Sequence, residues 1–179
     1  LDAYRRAAFD RLYDDFFYRR NNEFWKEKAM QKLPALLDST GMLACGEDLG
    51  MIPATVPQVM DDLRILSLEI QRMPKSVEET FAHPANYPYL SVCTTSTHDM
   101  NPIRAWWEED RQVTNDFWQM ILGNQGEAPY FCEPWICRQI LEQHVWSPAM
   151  LTILPLQDWL SMDAQLRRED PNRAENFCH

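Results

Sequence analysis

Apolar and polar residues recur along this chain at spacings that predict helices and strands in turn. Near the N-terminus the apolar residues follow the three- and four-residue spacing of an amphipathic helix, which predicts a helical region from about Asp2 to Lys32. We expect one face of that helix to be buried, with a stripe made of Phe9, Leu12, Tyr13, Phe16 and Phe17. Pro34 either kinks the helix or opens a last turn through Leu37.

Short apolar runs bounded by turn residues predict four strands, at about residues 42–45, 66–71, 90–95 and 149–154. Helical patterns occupy the intervals, at about residues 54–63, 102–122 and 134–143. Strands that alternate with helices imply parallel βα units with right-handed crossovers. From this pattern alone, the strands fit either a small doubly wound sheet or half of an eight-stranded barrel.

Composition and charge narrow the classes of partner. The 179 residues are 45% hydrophobic and 25% charged, which is typical of a globular domain. The net charge of -10 disfavours nucleic acids and anionic membranes as partners, because proteins bind both mainly through cationic side chains. A neutral ligand such as a sugar is compatible with this charge. No apolar run approaches the ~20 residues that cross a membrane.

The five cysteines are odd in number and lack the CxxC spacing of metal sites. Cys45 and Cys93 lie in predicted strands, and we interpret the thiols as reduced and the protein as cytoplasmic. The chain begins at Leu1 in a sequence that is already helical in pattern, and its end after Arg167 is polar. We therefore expect it to be a piece of a longer protein.

Two carboxylates, Glu47 and Asp99, each follow a predicted strand. In parallel α/β proteins the residues beyond the carboxyl ends of strands face the ligand. Carboxylates that meet there suit sugar hydrolysis or transfer, where one protonates the leaving oxygen and others stabilise positive charge. The spacing alone favours a structural interpretation, in which Glu47-Asp48 is an acidic turn and Ser96, Thr97 and Asp99 cap a helix.

Other candidate residues remain open to two interpretations. His98, beside Asp99, is either a ligand contact or a structural histidine. Trp106 and Trp107 could stack on sugars, although aromatic residues at helical spacing are more often core. Glu69 points either into the mouth of a barrel or to solvent.

Four motifs occur in a fixed order: Gly46-Glu47-Asp48-Leu49-Gly50 with Pro53, Leu68-Glu69-Ile70-Gln71, Ser96-Thr97-His98-Asp99 and Leu154-Pro155-Leu156-Gln157-Asp158. In this order they closely resemble the 4-α-glucanotransferases of the amylomaltase type, glycoside hydrolase family 77. The similarity is strongest to the class of the plant cytosolic disproportionating enzyme and its bacterial relatives. Two further segments also resemble that class, Phe17-Tyr18-Arg19-Arg20 with Phe24-Trp25, and His83-Pro84-Ala85-Asn86.

The resemblance implies a fold and a set of roles. The fold would be a (β/α)₈ barrel, with residues 1–179 as the C-terminal portion of one catalytic domain that supplies about strands 5 to 8. Glu47 matches the general acid/base and Asp99 the third carboxylate, which stabilises the transition state. His98 matches a histidine that contacts the sugar, and Asp48 is expected to bind substrate as well. The nucleophilic Asp belongs to an Arg-Ile-Asp-His type motif that this sequence lacks, and the residues after Pro171 depart from the family pattern.

The implied activity is retaining transfer of α-1,4-glucan segments or glucosyl units from maltose, malto-oligosaccharides or glucan to an acceptor sugar. No cofactor or metal is expected, and the chain alone is expected to be inactive and to form a homo-oligomer or aggregate. The alternatives are a retaining α-glucan hydrolase of the same clan and a non-catalytic carbohydrate-binding α/β fragment.

Overall fold

A computed structural model describes residues 2–50, 52–167 and 169–171. The chain divides into two compact units, Leu1–Leu68 and Glu69–His179. The divergent segment after Pro171 lies outside the described residues.

A long helical run opens the first unit, as its spacing predicts. It consists of α1 (Ala3–Asp14), a π-helical segment (Asp15–Arg20) and α2 (Asn21–Asp38), with Pro34 inside α2. The side chain of Asp2 caps α1 by accepting a hydrogen bond from the Arg5 amide at 2.8 Å. Where the π-helical segment gives way to α2, the side-chain amides of Asn21 and Asn22 donate to the carbonyls of Phe16 and Tyr18.

The predicted burial of the apolar stripe is wrong. Its five residues, Phe9, Leu12, Tyr13, Phe16 and Phe17, are between 40% and 68% exposed, and none of the three helical segments has a buried residue among those described. The rings pack along the same helix instead, with centroids 4.7 Å apart for Tyr13 and Phe17 and 5.1 Å apart for Phe16 and Phe17. Helical spacing identifies an apolar face, but a neighbouring element must cover that face to bury it.

After α2, the described residues of the first unit include a short helix and a parallel bridge. Helix α3 (Val56–Asp62) lies within the predicted interval of 54–63. The strand predicted at 42–45 is reduced to a single parallel bridge between Cys45 and Leu66. Its hydrogen bonds run from the Gly46 amide to the Leu66 carbonyl and from the Leu66 amide to the Ala44 carbonyl, both at 2.9 Å.

Three strands form one sheet in the order β1-β2-β3: β1 (Ser67–Ile70), β2 (Ser91–Thr94) and β3 (Leu151–Thr152). Strand β1 begins in the first unit and ends in the second. Strands β2 and β3 are parallel, with Val92 opposite Leu151 and Cys93 opposite Thr152. The chain from β2 to β3 passes through helices, so the α/β class with parallel pairing agrees with the sequence prediction.

The helix predicted at 102–122 is two helices, α4 (Ile103–Trp107) and α5 (Arg111–Met120). Asp110 separates them, because its carboxylate accepts from the amides of Gln112 at 2.8 Å and Val113 at 3.2 Å and so starts a new helix. The remaining elements are a 3₁₀ turn (Pro84–Asn86), α6 (Pro134–Val145) and α7 (Leu156–Leu160). None of the described helices is long and apolar enough to cross a membrane.

The core of the second unit is aromatic and helical. Trp107, Phe117 and Ile136 are fully buried at its centre. Trp107 packs edge-to-face on Phe117 and Trp118, with centroids 6.3 Å away in each case, and its indole N–H donates to the Pro129 carbonyl at 3.0 Å. Trp107 is therefore a core residue, which decides between its two interpretations.

Candidate active site

Glu47 and Asp48 follow the parallel bridge at Cys45, and the two neighbouring carboxylates have different surroundings. Asp48 is only 3% exposed, and its Oδ1 accepts from the Leu68 amide at 3.0 Å. Glu47 is exposed. The buried carboxylate of Asp48 therefore ties this segment to β1, while the side chain of Glu47 is accessible to a ligand.

Glycine is needed on each side of these carboxylates for a different structural reason. A Cβ on Gly46 would lie 3.0 Å from Met60 Cε and 3.5 Å from Ile65 Cγ2, so the backbone passes close to α3 and the residues that follow it. Gly50 has a φ of +78°, a conformation that side-chain-bearing residues rarely adopt. Gly46 is therefore restricted by the side chains beside it, whereas Gly50 has open space around it and is restricted by its backbone conformation.

His98 and Asp99 lie in the loop that follows β2, and both are exposed. Their side chains form a pair, with His98 Nε2 at 3.2 Å from Asp99 Oδ2 and side-chain exposures of 89% and 79%. The Asp99 amide donates to the Thr97 hydroxyl at 3.3 Å. A carboxylate and an imidazole are therefore presented together beyond the carboxyl end of a parallel strand, where ligands of α/β proteins bind.

The capping alternative for this loop does not describe the structure. Helix α4 has Pro102 at its N-cap position with no side-chain cap, and the Ile103 amide instead donates to Asp158 Oδ1 at 2.8 Å. The group that satisfies the start of α4 thus comes from α7, 55 residues further along the chain.

Half-buried Arg72 and buried Asp158 form a polar network that the sequence patterns did not single out as functional. Asp158 is fully buried, and its Oδ2 accepts from the Thr95 hydroxyl at 2.5 Å. The guanidinium of Arg72 donates to the carbonyls of Thr95 and Asn101. The only signals in the sequence are an arginine just after a strand and an aspartate in the Leu-Pro-Leu-Gln-Asp motif.

Burial shifts the pKa of both charged groups of this network in the direction that favours the neutral form. It raises the pKa of Asp158, while the hydrogen bonds from Thr95 and Ile103 and the positive charge of Arg72 act in the opposite direction. Burial also lowers the pKa of Arg72 to about 10, and the charge of Asp158 acts against that lowering. Each residue therefore stabilises the charged form of the other.

Glu69 and Trp106 have structural partners in the second unit. Glu69 is 9% exposed, and its Oε1 lies 2.6 Å from Lys75 Nζ, so its carboxylate does not simply face solvent. The ring of Trp106 packs on Phe81 and Phe117 and lies 4.9 Å from the Arg72 guanidinium carbon. The structure thus favours the core interpretation of Trp106.

The predicted site residues fall into two groups. Glu47 and Asp48 belong to the first unit, and His98 and Asp99 belong to the second. The structure brings together His98 and Asp99, whereas the meeting of Glu47 with Asp99 stays a prediction. Among the residues that the structure describes, no three His, Cys, Asp or Glu side chains are arranged to hold a metal ion.

Comparison with known proteins agrees with the resemblance in the motifs. The sequence profile of a family described as 4-alpha-glucanotransferase matches residues 2–178. The chain is 43% identical over 162 residues to 4-alpha-glucanotransferase DPE2 of Oryza sativa subsp. japonica, a match that covers 90% of this chain and 17% of the rice protein. It is 32% identical over 123 residues to 4-alpha-glucanotransferase of Chlamydia muridarum, which covers 68% of this chain and 23% of that protein.

A solved structure has a similar fold. Amylomaltase from Streptococcus agalactiae in complex with acarbose matches with a TM-score of 0.55 and 16% identity, over 83% of this chain and 32% of that one. This likeness supports the α/β fold alone. The chain spans 17% of the length of its rice relative and 23% of the length of its Chlamydia muridarum relative.

Proposed function

The chain belongs to glycoside hydrolase family 77, the 4-alpha-glucanotransferases, and from this membership we propose that the protein containing it transfers α-1,4-glucan segments or glucosyl units between sugars. The donors would be maltose, malto-oligosaccharides or glucan, and the acceptor another sugar. The observation that carries the proposal is the family match over residues 2–178.

Glu47 is the proposed general acid/base. It is an exposed carboxylate in an irregular segment whose backbone is restricted at Gly46 and Gly50, and it directly precedes a carboxylate that is tied to the backbone. In retaining transfer its carboxyl proton passes to the departing glycosidic oxygen. The resulting carboxylate then takes the proton of the acceptor hydroxyl, which attacks the glycosyl-enzyme.

Asp99 is the proposed stabiliser of positive charge at the sugar carbon, and His98 the proposed sugar contact. Both side chains are exposed in the loop after β2 and lie against each other at 3.2 Å. An accessible carboxylate that needs no proton transfer suits this role, because the transition state resembles an oxocarbenium ion. The nucleophile, an aspartate of the Arg-Ile-Asp-His type, would come from sequence other than this chain. Asp48, which we predicted to bind substrate, would also act by holding Glu47 in place.

The finer architecture is part of the proposal. The bridge at Cys45 and strands β1, β2 and β3 would be the fifth to eighth strands of a (β/α)₈ barrel, and the whole chain would be one portion of a single catalytic domain. Their order along the chain and the fold likeness to an amylomaltase support this arrangement. We also propose a cytoplasmic location, which the buried free thiols of Cys93, Cys132 and Cys137 support.

The test is disproportionation of maltose and maltotriose by the full-length protein and its Glu47→Gln variant. Glutamine is nearly isosteric but carries no transferable proton, so we expect turnover to fall ~100- to 10,000-fold with little change in protein stability. Glu127→Gln, at another exposed glutamate, is the matched control and should retain activity. Asp99→Asn should also be severe.

Product analysis separates the alternatives. A transferase converts maltose into glucose together with longer glucans, whereas a hydrolase yields glucose alone and a binding fragment yields neither. Near-normal turnover by Glu47→Gln would refute the acid/base assignment, and products without longer glucans would refute transfer.

A further inference from the structure

The loop that carries His98 and Asp99 is held at both ends by the same two charged side chains, half-buried Arg72 and fully buried Asp158. The loop runs over residues 95–101. Arg72 contacts its two end residues, and Asp158 contacts its first residue and Ile103, just beyond its last. All of these residues belong to the second unit. The two contacts come from opposite directions along the chain, since Arg72 precedes the loop and Asp158 follows it.

Arg72 joins the two ends of the loop through backbone carbonyls. Its Nη2 donates to the Thr95 carbonyl at 2.8 Å and to the Asn101 carbonyl at 2.7 Å, and its Nε also donates to Thr95 at 3.2 Å. The guanidinium carbon lies 4.9 Å from the centre of the Trp106 ring, a cation–π contact that holds the side chain in place. One rigid group therefore sets the distance between the two ends of the loop.

Asp158 also connects the start of the loop with the chain just beyond its end, using one carboxylate oxygen for each. Oδ2 accepts from the Thr95 hydroxyl, and Oδ1 accepts from the Ile103 amide, two residues beyond Asn101. A fully buried carboxylate is costly unless hydrogen bonds and an opposite charge compensate it. Here both oxygens are bonded, and the charge of Arg72 favours the ionised carboxylate.

Hydrogen bonds inside the loop form a local turn: the Met100 amide donates to the Thr97 carbonyl at 3.1 Å and the Asp99 amide to the Thr97 hydroxyl at 3.3 Å, so this turn moves with the ends of the loop. His98 and Asp99 are exposed, and their mutual contact is a surface pair of the kind that contributes little to stability. The direction of the Asp99 carboxylate therefore depends on where Thr95 and Asn101 are held. A displacement of about 1 Å in a reacting group can cost ~100-fold in rate, so this placement has consequences for chemistry.

We propose that Arg72 and Asp158 are positioning residues, which together fix the backbone of residues 95–101 and so aim Asp99 at the reacting sugar. This inference rests on the proposed function, because it acts through Asp99. Neither residue needs to touch substrate. Their effect is on the geometry of a group that does.

The main experiment compares Arg72→Lys with Arg111→Lys in the full-length protein. Lysine keeps the charge beside Asp158, but its single nitrogen cannot reproduce the planar fork of Nε and Nη2. Arg111 is a matched control because it makes the same kinds of contact in a different loop: Nη1 donates to the Pro129 carbonyl at 2.9 Å, Nη2 donates to the Ala128 carbonyl at 2.6 Å, and the guanidinium lies over Tyr130.

We expect Arg72→Lys to lower kcat for maltotriose disproportionation roughly 10- to 100-fold while KM changes less than about threefold. Arg111→Lys should change kcat less than about twofold. Equal effects of the two substitutions would overturn the proposal, because a general loss of packing would then explain both.

The second experiment repeats Arg72→Lys in an Asp99→Asn background. Since Arg72 is inferred to act through Asp99, we expect a further loss of less than about twofold there. The same loss in both backgrounds would overturn the positioning role. Near-normal turnover by Asp99→Asn alone would refute the role proposed for Asp99, and a wild-type protein that makes no longer glucans would refute the proposed function, so these failures are distinguishable from a failure of the positioning role.

If Arg72→Lys does not fold, Asp158→Asn serves in its place. Asparagine keeps an oxygen for the Ile103 amide and an amide group that can donate to the Thr95 hydroxyl. Both hydrogen bonds of residue 158 can therefore still form, and the variant should fold. The lost charge should still lower kcat several-fold with KM little changed, and an unchanged kcat would overturn the proposal.

Discussion

His144, at the end of α6, is a buried histidine whose protonation should unfold the structure around it. Its side chain is fully buried, and Nδ1 lies 2.8 Å from the Ile140 carbonyl, which makes Nδ1 the protonated nitrogen of the neutral ring. Nε2 has no hydrogen-bond partner among the described residues. A proton added at Nε2 would therefore place an uncompensated charge in the core.

Burial lowers the pKa of His144 from its ordinary 6.5 to about 4, and the positive charge of Arg72 adds to this lowering. The hydrogen bond to Ile140 acts in the opposite direction. Between these two values the unfolded state binds more protons than the folded state, so stability falls as pH falls through this range. The full difference in pKa corresponds to a loss of about 3 kcal/mol in the free energy of unfolding. This loss is absent above pH 6.5 and complete below about pH 4.

The measurement is hydrogen exchange of the peptide that spans α6, in the full-length protein, from pH 7.5 to pH 4.5 with correction for intrinsic rates. The free energy of opening of the wild type should fall by most of that amount relative to His144→Asn, which does not titrate but keeps an amide donor near the position of Nδ1. His83→Asn removes an exposed histidine and controls for histidine content. Parallel pH profiles for the wild type and His144→Asn would refute the argument.

Two further predictions concern the two units separately. Gly50→Ala should lower the free energy of local opening by roughly 1–2 kcal/mol, because φ is +78° there, whereas Gly41→Ala, with open space around it and no positive φ, should be nearly neutral in the same exchange measurement. Equal effects would contradict the strain argument. Burial raises the pKa of Cys132, whose Sγ lies 3.3 Å from that of buried Cys137, so a thiol reagent should label exposed Cys45 first; mass spectrometry showing Cys132 labelled as fast as Cys45 would contradict this.

Local pattern was sufficient to predict most of the elements. The helical run that begins at Ala3, helix α6 and the strands β1 and β2 were all predicted within a few residues of their observed bounds, because spacing along the chain reports which side chains share a face. The four motifs, taken in their order along the chain, were likewise sufficient to predict the family. These features depend on residues that are close in sequence.

Tertiary structure decided what covers each face and what ends each element. The stripe at Phe9 to Phe17 is apolar in sequence, yet it remains exposed because none of the described residues of its unit covers it. The start of α4 is satisfied by Asp158, 55 residues away, and the loop with Asp99 is joined by Arg72, which is 23 residues from Thr95. Hydrogen bonds between groups so far apart produce no periodic pattern in the sequence. Only the folded chain therefore shows which polar residue bonds to which backbone group.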